Sequence, residues 1–542
     1  MRQTVEGSAA SRYVRGKYGA LALAAALLAT GLLGLAVARR RATPAAGSAA
    51  APRVIRVKAG DDLRRALDQA RPGDTLVLEA GATFVGPFTL SPKTGDGWVT
   101  VQSSALDSLP GEGQRVSPSD APGMPKVVSP GRGEPAVRTA PGAHHFRFVG
   151  IEFTTEDPDA LVYDLVRLGG DDAAQDTTEE VPHHLVLDRC YVHAHPSQSL
   201  KRGVALNSGE AAILNSYVAG FKVKGQEAQA VMGWNGPGPF RIVNNYLEGA
   251  GENLMFGGGL PTLVGVIPSD IEIRRNHFAK PPGWRGVWSV KNLLELKNAR
   301  RVVIDGNLFE YNWTDAQQGY AILLTPRTSG AATAVVEDVS FTNNVVRHVA
   351  AVFHVAGQDD LSADPKAHRL RRIRIANNLF EDVDGGRWTG DGAFLKIGQS
   401  ADQVTIDHNT VLHAGNITKA FGDPNLGFVF TNNLLAHNAY GVMGDNQSPG
   451  MKTIAAYFPG GQFRGNVFAG AEAHLYPPGN FFPPTLAAAG LAGAAAGNYR
   501  LAPSSPFRAR ATDGRDVGCD LDALEAAASQ PATRPRTVSR PR

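Results

Sequence analysis

Glu295 and Lys297 stand two residues apart in NLLELKN (292–298), alternating with Leu294 and Leu296. Successive side chains of a strand point to opposite faces, so both charged groups share one face and both leucines the other. A carboxylate that holds a cation or proton, beside a lysine that takes a proton, is a general acid–base pair. The plain alternative is a solvated ion pair on a sheet surface. Arg327, His354 and Lys396 stand on or just after three similar apolar runs, AILLTPR (321–327), VFHVAG (352–357) and AFLKIG (393–398), and ENLMFGG (252–258) with Glu252 precedes them. Each residue alone reads as a solvated polar side chain; residues some thirty positions apart act together only if the chain stacks them.

The chain is written to stack. Between residues 146 and 468 one short pattern recurs eleven times: apolar, any, apolar, two spacers, a small polar residue, any, apolar, as in VVIDGNLF (302–309), IRIANNLF (373–380), VTIDHNTV (404–411) and FVFTNNLL (428–435). Alignment puts Ile151, Cys190, Ser216, Asn245, Asn276, Asn307, Asn344, Asn378, Asn409, Asn433 and Asn466 in one column, with gaps of 24 to 39 residues. That is a solenoid period, and period-two alternation marks each copy as a half-buried strand. Asparagine recurring at one turn predicts a ladder of stacked side-chain amides. Equivalent positions of successive turns then lie about 4.8 Å apart, and Glu295, Lys297, Arg327, His354 and Lys396 fall on neighbouring turns.

Length alone, 542 residues, suggests several domains, but a solenoid grows by adding turns. At 43% apolar and 19% charged, the composition is that of a folded chain. The formal net charge is +3, of which residues 1–41 supply about +6 and the last nine residues +4, leaving about −7 on the body. An acidic body argues against nucleic acid as a partner; one basic groove would still suit an anionic sugar. Cys190 in the repeat column reads as a small buried hydrophobe. No Cys/His set has zinc-ligand spacing along the chain.

The uncharged run 18–38, preceded by Arg12, Arg15 and Lys17, is long enough to span a bilayer and also fits a signal peptide cut after Ala38. Arg39 to Arg41 put positive charge at both ends of the run, which leaves its orientation open; an uncleaved anchor is favoured slightly over cleavage. Residues 1–41 are thus expected to be a basic leader with a membrane or signal helix, and 42–53 an Ala/Pro/Gly/Ser linker. The body is expected outside the cytoplasm, membrane-anchored through that helix or secreted. The body runs over 54–525. In its cap region, 54–101, DDLRRALDQARPGD predicts a helix capped by Asp61 or Asp62 that covers the open end of the first turn. The Pro/Gly/Ser-rich stretch 103–135 reads as a loop excursion, 146–470 as the repeats and 471–525 as a C-terminal segment; 526–542 reads as a disordered Pro/Arg tail.

The opening segment, the asparagine column and the close SPFRARATDGRDVGCDLDAL (505–524) together resemble the right-handed parallel β-helix proteins of the pectin-lyase-like superfamily, over residues 54–524. The resemblance implies an all-β, single-stranded right-handed parallel β-helix. It leaves the activity open among polysaccharide lyases, glycoside hydrolases, uronate epimerases and non-catalytic carbohydrate-binding or surface proteins. QVTIDHNTVLH (403–413) is similar to an Ile-Asp-His motif of pectate lyases, with Thr405 where that motif has tryptophan. A lyase acting on a uronate polymer by β-elimination is the favoured expectation. Lys297 or Arg327 would be the base and His354 an alternative acid/base, with Glu252 and Glu295 as oxygen ligands if Ca2+ is used. Trp284, Trp288, Trp313 and Trp388, in the long loops 278–290, 310–319 and 381–392, would stack on sugar faces or anchor those loops; Lys396 would bind substrate. A monomer is expected.

Overall fold

A computed structural model describes residues 51–328, 333–358, 364, 366 and 368–529. The expected leader helix lies outside them. Among the described residues no helix is long and apolar enough to cross a membrane.

Each turn contributes one strand to each of three parallel sheets, which hold 14, 13 and 12 strands among the described residues. One complete turn runs Ala299–Asp305 in the first sheet, Leu308–Asn312 in the second and Tyr320–Leu324 in the third. Neighbours in every sheet come from successive turns, so Val302, Val339, Ile373 and Val404 form one file. Leu294, Ile322, Phe353 and Leu395 form another in the third sheet. The chain is a parallel β-helix. Inward side chains fill the lumen: Phe309, Phe341, Phe353, Phe380 and Phe394 are fully buried, and Phe278 and Phe309 stack at 4.4 Å. Each such side chain contributes roughly 1.5–3 kcal/mol.

The asparagine column forms the predicted ladder at the corner between the first and second sheets. In each rung one Oδ1 accepts both the backbone N–H and the Nδ2 of the previous turn's asparagine, as Asn344 does from Asn307 at 2.9 Å each. The same pattern joins Asn245, Asn276, Asn307, Asn344, Asn378, Asn409, Asn433 and Asn466. It extends one rung beyond the sequence pattern, to Asn480. The residue before each rung has positive φ: Asn244, Asn343, Asn377 and Asn432, with Arg275, His408, Gly306 and Gly465 in the same role, and Asn215 before Ser216. Asparagine tolerates that conformation better than most residues, which explains the recurring Asn-Asn doublet.

Both ends are closed. Asp62 caps helix Leu63–Gln69, whose Leu63 and Leu67 are buried. At the other end, Ile454 of helix Met451–Tyr457 and the following Phe458 join the core beside Phe428 and Phe463. Helix Leu521–Ser529 lies on the flank of the coil, with Leu521 and Leu524 against Leu379. Two expectations need correction. Stretch 103–135 is not only a loop, because Lys126–Ser129 pairs in the second sheet with Thr83–Val85 and Glu152–Thr155. Buried Val127 and Val128 outweigh the flanking Pro and Gly. The expected tail at 526 begins inside a helix, which continues to Ser529 because its apolar face is docked. Cys190 is a buried free thiol, and Cys519 is free as well.

Candidate functional site

The apolar runs that follow the ladder corner are neighbours in the third sheet: Glu252–Phe256, Asn292–Leu296, Tyr320–Leu324, Ala351–Ala356 and Leu395–Gly398. Their inward residues, Leu294, Leu296, Phe353 and Val355, fill the core. Their outward residues form the file Glu295, Leu323, His354, Lys396, Lys419. Lys297 and Arg327 leave successive strands at the same point, with the Arg327 N–H donating to the Lys297 carbonyl at 2.8 Å. Glu295, Lys297, Arg327, His354 and Lys396 therefore line one cleft of about 410 Å³.

Glu295 and Lys297 are an ion pair at 3.2 Å, but not a solvated one: their side chains are 1% and 11% exposed. Asn292 Nδ2 donates to Glu295 Oε2 at 3.2 Å and reaches Gln317 Oε1 at the same distance. Gly258, at φ +85°, lies under the Lys297 stem; a Cβ there would meet Lys297 Cδ at 3.0 Å. Burial, with Lys396 and Arg327 nearby, pushes the His354 imidazole down to about 3. It is therefore neutral at working pH, a form that accepts a proton or hydrogen bond and has none to give as imidazolium. Lys396 donates to Gln318 at 2.9 Å and lies over the Phe421 ring at 5.1 Å. Tyr320, which lines the cleft, donates to Asp391 at 2.8 Å, and Asp391 also accepts from Lys419 at 2.9 Å.

Glu252 belongs to the adjoining turn, opposite Asn292, and lies beneath the surface rather than on the cleft wall. Gln229 donates to its Oε2 at 2.8 Å, and Lys291 Nζ is 3.7 Å from its Oε1. Burial, with Glu295 and Glu227 nearby, pushes it up to about 7. Its Oε1 and Asn292 Oδ1 are buried oxygens without a hydrogen-bond donor.

The tryptophans do not line the cleft. Trp284 and Trp313 are buried with Ala250 and Val290, and half-buried Trp288, Tyr311 and Trp388 pack around them. They hold the long loops to the coil, which is the anchoring role. The rings at the cleft are Tyr320 and Phe421, which aromatic counting in the loops passes over. Phe421 shares the outward parity of Lys419. Tyr320 and Asn292 share the parity of inward Ile322 and Leu294 and stand at the starts of their strands, so alternation gives no signal for either.

No family model matches the chain, and no curated protein matches it. Among solved structures it is similar to the PL6 family alginate lyase AlyGC, 13% identical, with 89% of this chain and 59% of that chain covered at a TM-score of 0.48. An alginate lyase from Paenibacillus sp. str. FPU-7 is 15% identical, over 80% of this chain and 98% of that one, at 0.32. Pectate lyase Pel9A is 12% identical, over 87% and 96%, at 0.28. Likeness at this level concerns the path of the chain, not its chemistry. The three in-register parallel sheets make this protein a parallel β-helix.

Proposed function

We propose that the cleft binds an anionic, uronate-containing polysaccharide outside the cytoplasm and cleaves it by β-elimination. One observation carries the reading: Lys297, Arg327 and Lys396 converge with a neutral imidazole on one cleft, in a body whose overall charge is negative. A cationic groove on an acidic rod suits a polyanion. One chain supplies the whole cleft, so a monomer suffices.

In a uronate the C5 proton is acidified by the adjacent carboxylate once that charge is neutralised. Lys396 and whichever of Lys297 and Arg327 is not the base are placed to do this. Lys297 or Arg327, in its deprotonated form, removes the C5 proton, with His354 as the alternative acceptor. The electron pair left on C5 forms the C4=C5 double bond, and the glycosidic oxygen leaves C4 and takes a proton from the second cationic group or from water. Glu252 and Glu295 are the carboxylate ligands if Ca2+ is used. Together with Asn292 they fit such an ion in kind, since Glu252 Oε1 and Asn292 Oδ1 are buried acceptors without a donor and calcium takes oxygen ligands. When bound, calcium would neutralise the substrate carboxylate. Trp288 and Trp388, half-buried on the loops, would meet outlying sugars; Trp284 and Trp313 would support those loops.

The test incubates the purified chain with a panel of uronate polymers, including alginate and polygalacturonate, and follows ultraviolet absorbance of unsaturated ends. The reading expects product with at least one polymer, and its loss in both Lys297→Ala and Arg327→Ala with the β-sheet circular dichroism unchanged. Polymer binding without product across the panel would instead favour a non-catalytic carbohydrate-binding rod. New reducing ends without unsaturation would mean a hydrolase. Full activity in both variants would remove the assigned residues.

A further inference from the structure

The first turns of the coil hold a cluster that the proposed reaction leaves unused. Strands His144–Val149 and His183–Asp188 pair with His144 opposite His183, which stacks two histidine doublets. His144 lies over His183 at 5.1 Å and 7°, and His145 over His184 at 4.2 Å and 17°. Within each doublet Nδ1 faces Nδ1, at 2.8 Å for His144 and His145 and 2.6 Å for His183 and His184. One ring nitrogen from each of His145, His183 and His184 lies within 4.8 Å of the others. The next strand, Gly209–Leu214, brings Glu210 Oε2 to 3.1 Å from His184 Nε2. Trp98 covers His145 edge-on at 5.3 Å, and His145 is 9% exposed.

The backbone is built for this convergence. His145 and His184 both have positive φ, 58° and 54°, and they head a column in which Asp270, Arg301, Asp338 and Arg372 share that conformation further along. There the column closes on itself through ion pairs, Arg301 with Asp270 and Arg372 with Asp338, each at 2.6 Å. In the first turns imidazoles stand where the arginines would be, and Glu210 faces a ring.

We propose that His145, His183 and His184, with Glu210 at the fourth position, bind one late first-row divalent ion, zinc foremost, which ties three successive turns together. Imidazole nitrogen with one carboxylate selects such ions over calcium. Two nitrogens 2.6–2.8 Å apart share a single proton. As the ion takes up a ring-nitrogen lone pair, that proton passes to the donor ring's other nitrogen, so the imidazoles stay neutral, and the ligating nitrogens settle about 2.0–2.1 Å from the ion. No linear spacing announces the site, because its doublets meet only through stacking.

The test uses the full chain without an affinity tag, stripped with chelator, and titrated with Zn2+ by calorimetry and with Co2+ by absorption spectroscopy. The expected result is one ion per chain, visible-region Co2+ bands that Zn2+ abolishes, and a higher unfolding temperature with Zn2+. His145→Asn and His184→Asn keep a residue that tolerates positive φ. Each should weaken Zn2+ binding by more than the ~10–100-fold that losing a group hydrogen-bonded to a ligand costs. His474→Asn, at a histidine 71% exposed and outside the cluster, should change nothing. Sub-stoichiometric Zn2+ binding by the parent chain, unchanged affinity in both cluster variants, or displacement by equimolar Ca2+ would each overturn the proposal.

Discussion

Along the corner between the first and second sheets, successive turns place the same residue at the same point, asparagine from 245 to 466. Along the outer face of the third sheet, the same stacking places Glu295, Leu323, His354, Lys396 and Lys419 in one file, no more than two of them alike. Both files are registered by backbone pairing. Repetition at the corner satisfies each turn's buried amides with the next turn's and holds the coil together. Variety on the third sheet gives each turn a different group to present to one molecule. In a solenoid, a column of identical polar residues is architecture and a column of different ones is a candidate site.

Substitutions should separate the two. The largest effect belongs to the cleft: Lys297→Ala or Arg327→Ala should lower kcat on the order of 1000-fold with the β-sheet circular dichroism unchanged. Lys297→Ala should also lower the denaturant midpoint, because it leaves the buried Glu295 carboxylate without its cation. Next comes the corner. Asn344→Ala removes the amide that donates to Ile304 O and Asn378 Oδ1 and accepts from Asn307. Leaving those buried groups unmet should cost about 3 kcal/mol in urea unfolding, with turnover per folded molecule intact. An Asn344→Ala protein as stable as the parent would dissolve the distinction.

The third prediction concerns pH. The folded His354 pKa, about 3, lies below the unfolded value of about 6.5, so between the two the unfolded chain binds more protons. This contribution to stability is complete above about 6.5 and is lost as pH falls toward 3, with a slope of at most about 1.4 kcal/mol per unit. His354→Gln should flatten the acid limb of a stability–pH curve. Part of the slope should persist, because buried His413 is pushed down to about 4. An unchanged curve would mean that the file is wetter than its geometry implies. The smallest effect is expected at the cleft's edge, where Lys396→Ala should raise KM roughly ten-fold, about 1–2 kcal/mol, and leave kcat nearly unchanged.

Periodicity made the coil, the ladder and the outward parity of Glu295 and Lys297 legible in the chain, because alternation and stacking are local rules repeated many times. Composition misread 103–135, where two valines in a Pro/Gly-rich stretch suffice for a strand because neighbouring strands already wait on both sides. Aromatic content pointed at the loops, but Trp284 and Trp313 turned inward, since a large ring gains more from burial than from water. Tyr320 entered the cleft from a position whose parity reads as core, and Phe421 from an outward one.

The sequence by itself determined that identical turns stack and which face of each strand is dry, since the period of two and the asparagine corner are written in every copy. Only the tertiary structure decided which outward groups meet. Loop lengths between strands set the register of each turn, and no local pattern encodes that Glu295 and Lys297 would be buried together, that Arg327 would sit against Lys297, or that two histidine doublets on different turns would stack.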